Sequence, residues 1–112
     1  MGKKHFSWSK KIGGEVSMRI YISGGITGVE NYRDSFSKAH KELTEAGHDV
    51  FNPASYADAL PMLPYEEYMK TGLYFLNMCD AIYMLKGWQK SCGANREYGY
   101  ALAADKIIML ED

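Results

Sequence analysis

Apolar and polar positions along this chain alternate between two rhythms, and their order predicts the fold. The run Met18-Arg19-Ile20-Tyr21-Ile22-Ser23 reads as a first strand, followed by the glycine-rich turn Gly24-Gly25-Ile26-Thr27-Gly28. Phe36, Ala39, Leu43 and Ala46 then recur at helical spacing, predicting a helix over 31–46 that Gly47 stops. Asp49-Val50-Phe51 is a short second strand, ended by Asn52-Pro53. Residues 54–64 read as an irregular excursion with one helical turn after Ser55. A helix over 65–78, a strand over 80–85, a helix over 93–104 and a strand over 106–110 complete the chain. This alternation implies an α/β domain: a parallel sheet of four to five strands with helices on both faces. Ligands of such sheets bind beyond the carboxyl ends of the strands, near the strand-order switch. The turn after Ser23 and the loop before Gly93 both lie at that edge.

Residues 1–17 differ from the rest. They carry Lys3, Lys4, Lys10 and Lys11 with Gly13-Gly14 and lack the apolar core of a signal peptide. They read as a flexible leader or an added extension, or as a basic arm that touches a partner, with the domain spanning 18–112. Composition narrows the classes. An apolar content of 46% with 24% charged residues is that of a soluble globular protein. A net charge of −1 gives no electrostatic footprint for nucleic acid. No apolar run reaches membrane-spanning length. Cys79 and Cys92 have neither metal-ligand spacing nor the look of a secreted framework, so the cytoplasm is the default location. His40 and His48 have no partner spacing either, and no metal or cofactor is implied. Nine tyrosines, four phenylalanines and two tryptophans are enough for some to line a pocket or an interface.

Candidate chemistry concentrates in Ser91-Cys92-Gly93-Ala94-Asn95-Arg96-Glu97. Helical side chains lean toward the helix N-terminus, so Glu97, on the second turn, should lean toward the loop mouth. Ser91 and Cys92 stand where helix caps stand, with backbone N–H groups nearby for an anion. The turn Gly24-Gly25 has two readings: a backbone cradle for phosphate, or a tight turn that needs glycine. It carries no Walker lysine and no full dinucleotide fingerprint.

Three stretches in order, 19–28, 46–54 and 79–97, resemble the nucleoside 2-deoxyribosyltransferase-like superfamily, which includes 2'-deoxynucleoside 5'-phosphate N-hydrolases. They are Arg19-Ile20-Tyr21-Ile22-Ser23-Gly24-Gly25-Ile26-Thr27-Gly28, then Ala46-Gly47-His48-Asp49-Val50-Phe51-Asn52-Pro53-Ala54. The last is Cys79-Asp80-Ala81-Ile82-Tyr83-Met84-Leu85-Lys86-Gly87-Trp88 with Ser91-Cys92-Gly93-Ala94 and Glu97. The chain is most similar to the small, often phage-borne branch DUF4406. The resemblance implies a flavodoxin- or Rossmann-like fold and homo-oligomers, dimers or larger. It also implies cleavage or transfer at the N-glycosidic bond of a 2'-deoxynucleoside or its 5'-monophosphate. Glu97 matches the glutamate that attacks C1' of the sugar, and Tyr21 the tyrosine that orients it. Ser91 matches a serine that contacts the 5'-phosphate in the hydrolase branch; the transferase branch has an aspartate there. Serine therefore favours nucleoside monophosphates. Ser23, Gly24, Gly25 and Ile26, with Gly93 and Ala94, would complete the substrate cradle.

One position departs from the pattern. Eight residues before Asp80 the family enzymes carry an aspartate that helps to protonate the leaving base; here it is Gly72. Glu66 and Glu67 point about 120° to 140° away from Gly72 around the helix and do not replace it. Tyr68 or a water is the candidate substitute, and Gly72→Asp the candidate repair. The alternative function is a catalytically impaired protein that binds, senses or sequesters a nucleotide. Asp80 opens its strand at the end opposite the mouth and reads as structural. Trp88 on the mouth loop has two readings, stacking on a base or packing at an interface. Lys90 and Arg33 are candidates to neutralise a phosphate.

Overall fold

The computed structural model describes residues 5–7, 17–26, 28–59 and 62–112. Its strands are β1 (His5–Ser7), β2 (Arg19–Ser23), β3 (Asp49–Phe51), β4 (Ala81–Met84) and β5 (Ile107–Leu110). Its helices are α1 (Tyr32–Glu45), α2 (Pro53–Ala59), α3 (Tyr65–Asn77) and α4 (Cys92–Ala103). All strand pairs are parallel, and the sheet order is β1-β5-β4-β2-β3. The expected α/β architecture is therefore present, with element ends within a residue or two of those read from the sequence.

Two differences stand out. His5–Ser7 pairs with β5 as an edge strand, so these three residues belong to the sheet rather than to a leader. The remaining residues of 1–16 lie outside the described residues. The excursion after Asn52 begins as a helix, α2, of seven residues. Pro53 supplies its first position, where a missing N–H costs nothing. Asn52 Oδ1 accepts from the Ala54 N–H at 3.0 Å and caps it.

Strand alternation sorts the core into two layers. Ile20, Ile22, Ala81, Tyr83 and Met109 face one side and pack with Phe36, Ala39 and Leu43 of α1 and Ala54 of α2. Tyr21, Ile82, Met84 and Ile108 face the other and pack with Leu76 of α3 and with Ala94 and Ala101 of α4. The chain leaves β2 toward β3 on one side and returns through α3 to β4 on the other, so the switch point lies between β2 and β4. Ser23 and Met84 are in register there at the carboxyl ends. Asp80, at the opposite end, accepts the Arg19 N–H through Oδ2 at 2.9 Å, which is a structural role.

Candidate active site

Because side chains alternate along β2, Tyr21 and Ser23 both project from the switch-point strand toward α3 and α4. Glu97, on the second turn of α4, meets them. Tyr21 Oη donates to Glu97 Oε2 and Ser23 Oγ donates to Glu97 Oε1, each at 2.6 Å. All three side chains are buried. Burial raises the Glu97 pKa, and the hydrogen bonds from Ser23 and Tyr21 oppose that rise by favouring the carboxylate. Tyr21 titrates well above the ordinary tyrosine range, through burial and the adjacent Glu97 charge, so it stays a protonated donor.

These groups open onto a cavity of about 820 Å³, within the range for small-molecule sites. Tyr21, Gly24, Ile26, Tyr68, Ser91, Gly93, Ala94 and Glu97 all line it. So do Arg33 and Lys90, which give the wall two cations beside one buried carboxylate. Ser23 acts behind the lining, through Glu97. Gly25 backs onto the α4 start: a Cβ there would stand 3.6 Å from Ser91 Cβ.

The glycine-rich turn has a packing reason. A Cβ on Gly24 would come within 2.8 Å of Leu85 Cδ1, so only glycine lets the turn lie against the end of β4. Ser91 caps α4, its Oγ accepting from the Ala94 N–H at 3.1 Å. Ser91→Ala should lower stability by about 1 kcal/mol, measurable by urea denaturation. Gly93 lines the cavity and also lies against α3. A Cβ there would meet Tyr65 Oη at 3.2 Å and Met69 Sδ at 3.3 Å, so its small size serves the contact of α3 with α4. Trp88 is also placed differently: it packs on Tyr98, ring centroids 4.6 Å apart, and does not line the cavity. Its ring is drawn into the apolar layer beside α4.

Gly72 is the largest revision. It is buried on α3, and a Cβ there would lie 2.5 Å from Tyr21 Oη, 3.0 Å from Glu97 Oε2 and 3.4 Å from Tyr56 Oη. The space of the expected aspartate is thus occupied by the Tyr21–Glu97 pair itself, and Gly72→Asp is not a simple repair. Glu66 is turned outward, as its helical angle implied, and pairs with Arg96 through two bonds of 3.1 Å.

Tyr56 is a member of the site that the sequence reading missed. It lines the cavity from α2, and its hydroxyl stands 3.4 Å from where a Cβ on Gly72 would lie, on the same side of α3 as the Tyr21 hydroxyl. The signal was present: Asn52-Pro53 is a helix start, cap followed by first-turn proline, and a helix from Pro53 carries Tyr56 on its first turn. Tyr32, Tyr65 and Met69 also join the lining.

Residues 18–110 match the family described as a domain of unknown function, DUF4406. The chain belongs to this family. Among solved structures, this DUF4406 protein is similar to the 2-deoxyribosyltransferase of the psychrotolerant bacterium Bacillus psychrosaccharolyticus, with a TM-score of 0.66 and 23% identity. The likeness covers 82% of the DUF4406 chain and 70% of the transferase, and it establishes a shared fold. No curated protein matches the chain. Among the described residues of the DUF4406 protein, no helix is long and apolar enough to cross a membrane, and no cluster of three or more His, Cys, Asp or Glu is placed to hold a metal ion.

Proposed function

We infer that the cavity cleaves, or transfers at, the N-glycosidic bond of a 2'-deoxynucleoside or its 5'-monophosphate, with Glu97 as nucleophile. The observation that carries this reading is a buried carboxylate held through both oxygens by Tyr21 and Ser23 in the wall of a nucleoside-sized cavity. The shared fold with a 2-deoxyribosyltransferase supports it. In the first step a Glu97 oxygen bonds to C1' while the C1'–N bond breaks. Its electron pair goes to the base nitrogen, which takes a proton from solvent. In the second step water, or a ring nitrogen of another base, attacks C1' and loses its proton, and the Glu97 carboxylate is released. Two donors already in place keep the carboxylate ionised and aimed without reorganisation. Burial makes it more basic than an ordinary glutamate, and therefore a better nucleophile.

Arg33 and Lys90 favour an anionic substrate, so the monophosphate is the preferred form. Lys90→Ala is expected to raise KM for monophosphates by about 3- to 10-fold with little change in kcat, and to leave KM for nucleosides nearly unchanged. Steady-state kinetics on both substrate series checks this. The nucleophile is tested by acid quench during turnover. Intact mass and peptide mapping should show a 5-phosphodeoxyribosyl group joined through C1' to the Glu97 carboxylate, and a different labelled residue would reassign the nucleophile.

A second reading, a nucleotide-binding protein without turnover, is favoured by one observation. Among the described residues Glu97 is the only carboxylate lining the cavity, leaving no second carboxylic acid to protonate the departing base.

A further inference from the structure

The tyrosines that line the cavity are not equivalent. The ring of Tyr21 stacks on Phe51, with centroids 5.7 Å apart and planes 6° apart. Tyr32 meets Phe36 edge-on and has Arg33 Cζ 4.8 Å from its centroid. Arg96 Cζ stands 5.9 Å from the centroid of Tyr65. Tyr56 of α2 and Tyr68 of α3 instead lie nearly parallel to each other, with centroids 6.4 Å apart and planes 15° apart. Both are half-buried members of the cavity wall. Each has a neighbour that fixes it: the Phe51 ring lies 5.8 Å from that of Tyr56, and Tyr68 Oη donates to the Ala57 carbonyl at 3.5 Å. The pair also stands beside the reacting carboxylate. Tyr56 Oη and Glu97 Oε2 flank the same point, 3.4 Å and 3.0 Å from where a Cβ on Gly72 would lie.

We propose that Tyr56 and Tyr68 form the platform on which the base of the substrate stacks. The proposal deepens the glycosidic reading and rests on it for the identity of the ligand. The base is bonded directly to C1', the carbon that Glu97 attacks, so it must lie close to that carboxylate, and Tyr56 is the aromatic ring of α2 that reaches there. The phosphate, on the other side of the sugar, is left to Arg33 from α1 and to Lys90 from the turn before α4. Among the described residues no Asn or Gln lines the cavity, and Glu97 is its only carboxylate. The wall therefore has no amide to pair with the edge of a base, which leaves the face of the base as its main handle. The same platform would hold the departing base and, in transfer, the incoming one.

The test is calorimetric binding in the Glu97→Gln background, where bound nucleotide is not turned over. The ligands are the four 2'-deoxynucleoside 5'-monophosphates and 2-deoxyribose 5-phosphate, which has no base. Tyr68→Leu removes the ring and keeps apolar bulk. It is expected to raise Kd for the nucleotides by about 10-fold and that for the sugar phosphate by less than about twofold. Tyr68→Phe keeps the ring and should bind both kinds of ligand as the parent does. Tyr56→Leu is the second variant if Tyr68→Leu folds poorly, with the same pattern expected. Lys90→Ala should show the contrasting pattern and weaken both kinds of ligand together. Equal weakening of both by Tyr68→Leu, or an unchanged nucleotide Kd, overturns the platform and leaves the glycosidic reading standing. No binding of any nucleotide by the parent overturns both.

Discussion

Glu97→Gln is expected to abolish base release, by on the order of 10⁴-fold or more, while the protein stays folded. An amide keeps the size of the carboxylate but carries no charge to attack C1'. Its oxygen can still accept one of the two hydroxyl donors, Tyr21 or Ser23. The same substitution has a pH signature in stability. The folded-state pKa of Glu97 lies above its unfolded value, because burial outweighs the two hydrogen bonds. Stability linked to the protonated form is thus fully present below the unfolded pKa and is lost as pH rises through the folded pKa. Glutamine does not ionise, so the stability of the variant relative to wild type should increase with pH across that interval. Urea denaturation at several pH values checks this. A flat difference would mean that Glu97 is not held against a desolvation penalty.

Gly72→Ala and Gly72→Asp should damage the site rather than improve it. The alanine Cβ would need to sit 2.5 Å from the hydroxyl of Tyr21, a fully buried side chain whose shift also moves its bond to Glu97. Overpacking of this kind costs about 1–3 kcal/mol, partly offset by about 1 kcal/mol of helix propensity gained over glycine. The net stability loss is therefore modest, whereas displacement of the nucleophile should lower kcat by about 10²-fold. Aspartate adds a second buried carboxylate beside Glu97, and like charges at that range raise each other's pKa. Its destabilisation should reach about 3 kcal/mol or more, as for an uncompensated buried charge. Denaturation midpoints and initial rates for both variants test these values. A gain in base release by Gly72→Asp would contradict the packing explanation and restore the idea of a missing acid.

The sequence and the structure part company at a few identifiable residues. Element order was legible because the apolar runs of β2, β4 and β5 and the helical spacing of Phe36, Ala39 and Leu43 are dictated by which faces are buried. The lean of helical side chains placed Glu97 toward the loop mouth, whereas its pairing with Tyr21 was implied only by the family resemblance. At Gly72 sequence comparison registers a lost carboxylate, and the structure adds a packing reason that sequence does not show, the close approach of α3 to Tyr21. Trp88 reads as a mouth-loop residue that stacks on a base or packs at an interface, and the short helical turn Trp88–Lys90 directs it onto Tyr98. Strand β1 has only three residues, too few for a periodic signal. Its pairing with β5 is decided by the sheet edge rather than by local pattern.

The most direct measurement is chromatographic detection of free base after incubation with the four deoxynucleoside monophosphates and the matching deoxynucleosides, with Glu97→Ala run alongside. The expected result is release of base, faster from monophosphates, by the wild type and none by the variant. No release by the wild type, at a protein concentration where binding of a monophosphate is detected, would contradict glycosidic chemistry and leave a nucleotide-binding protein.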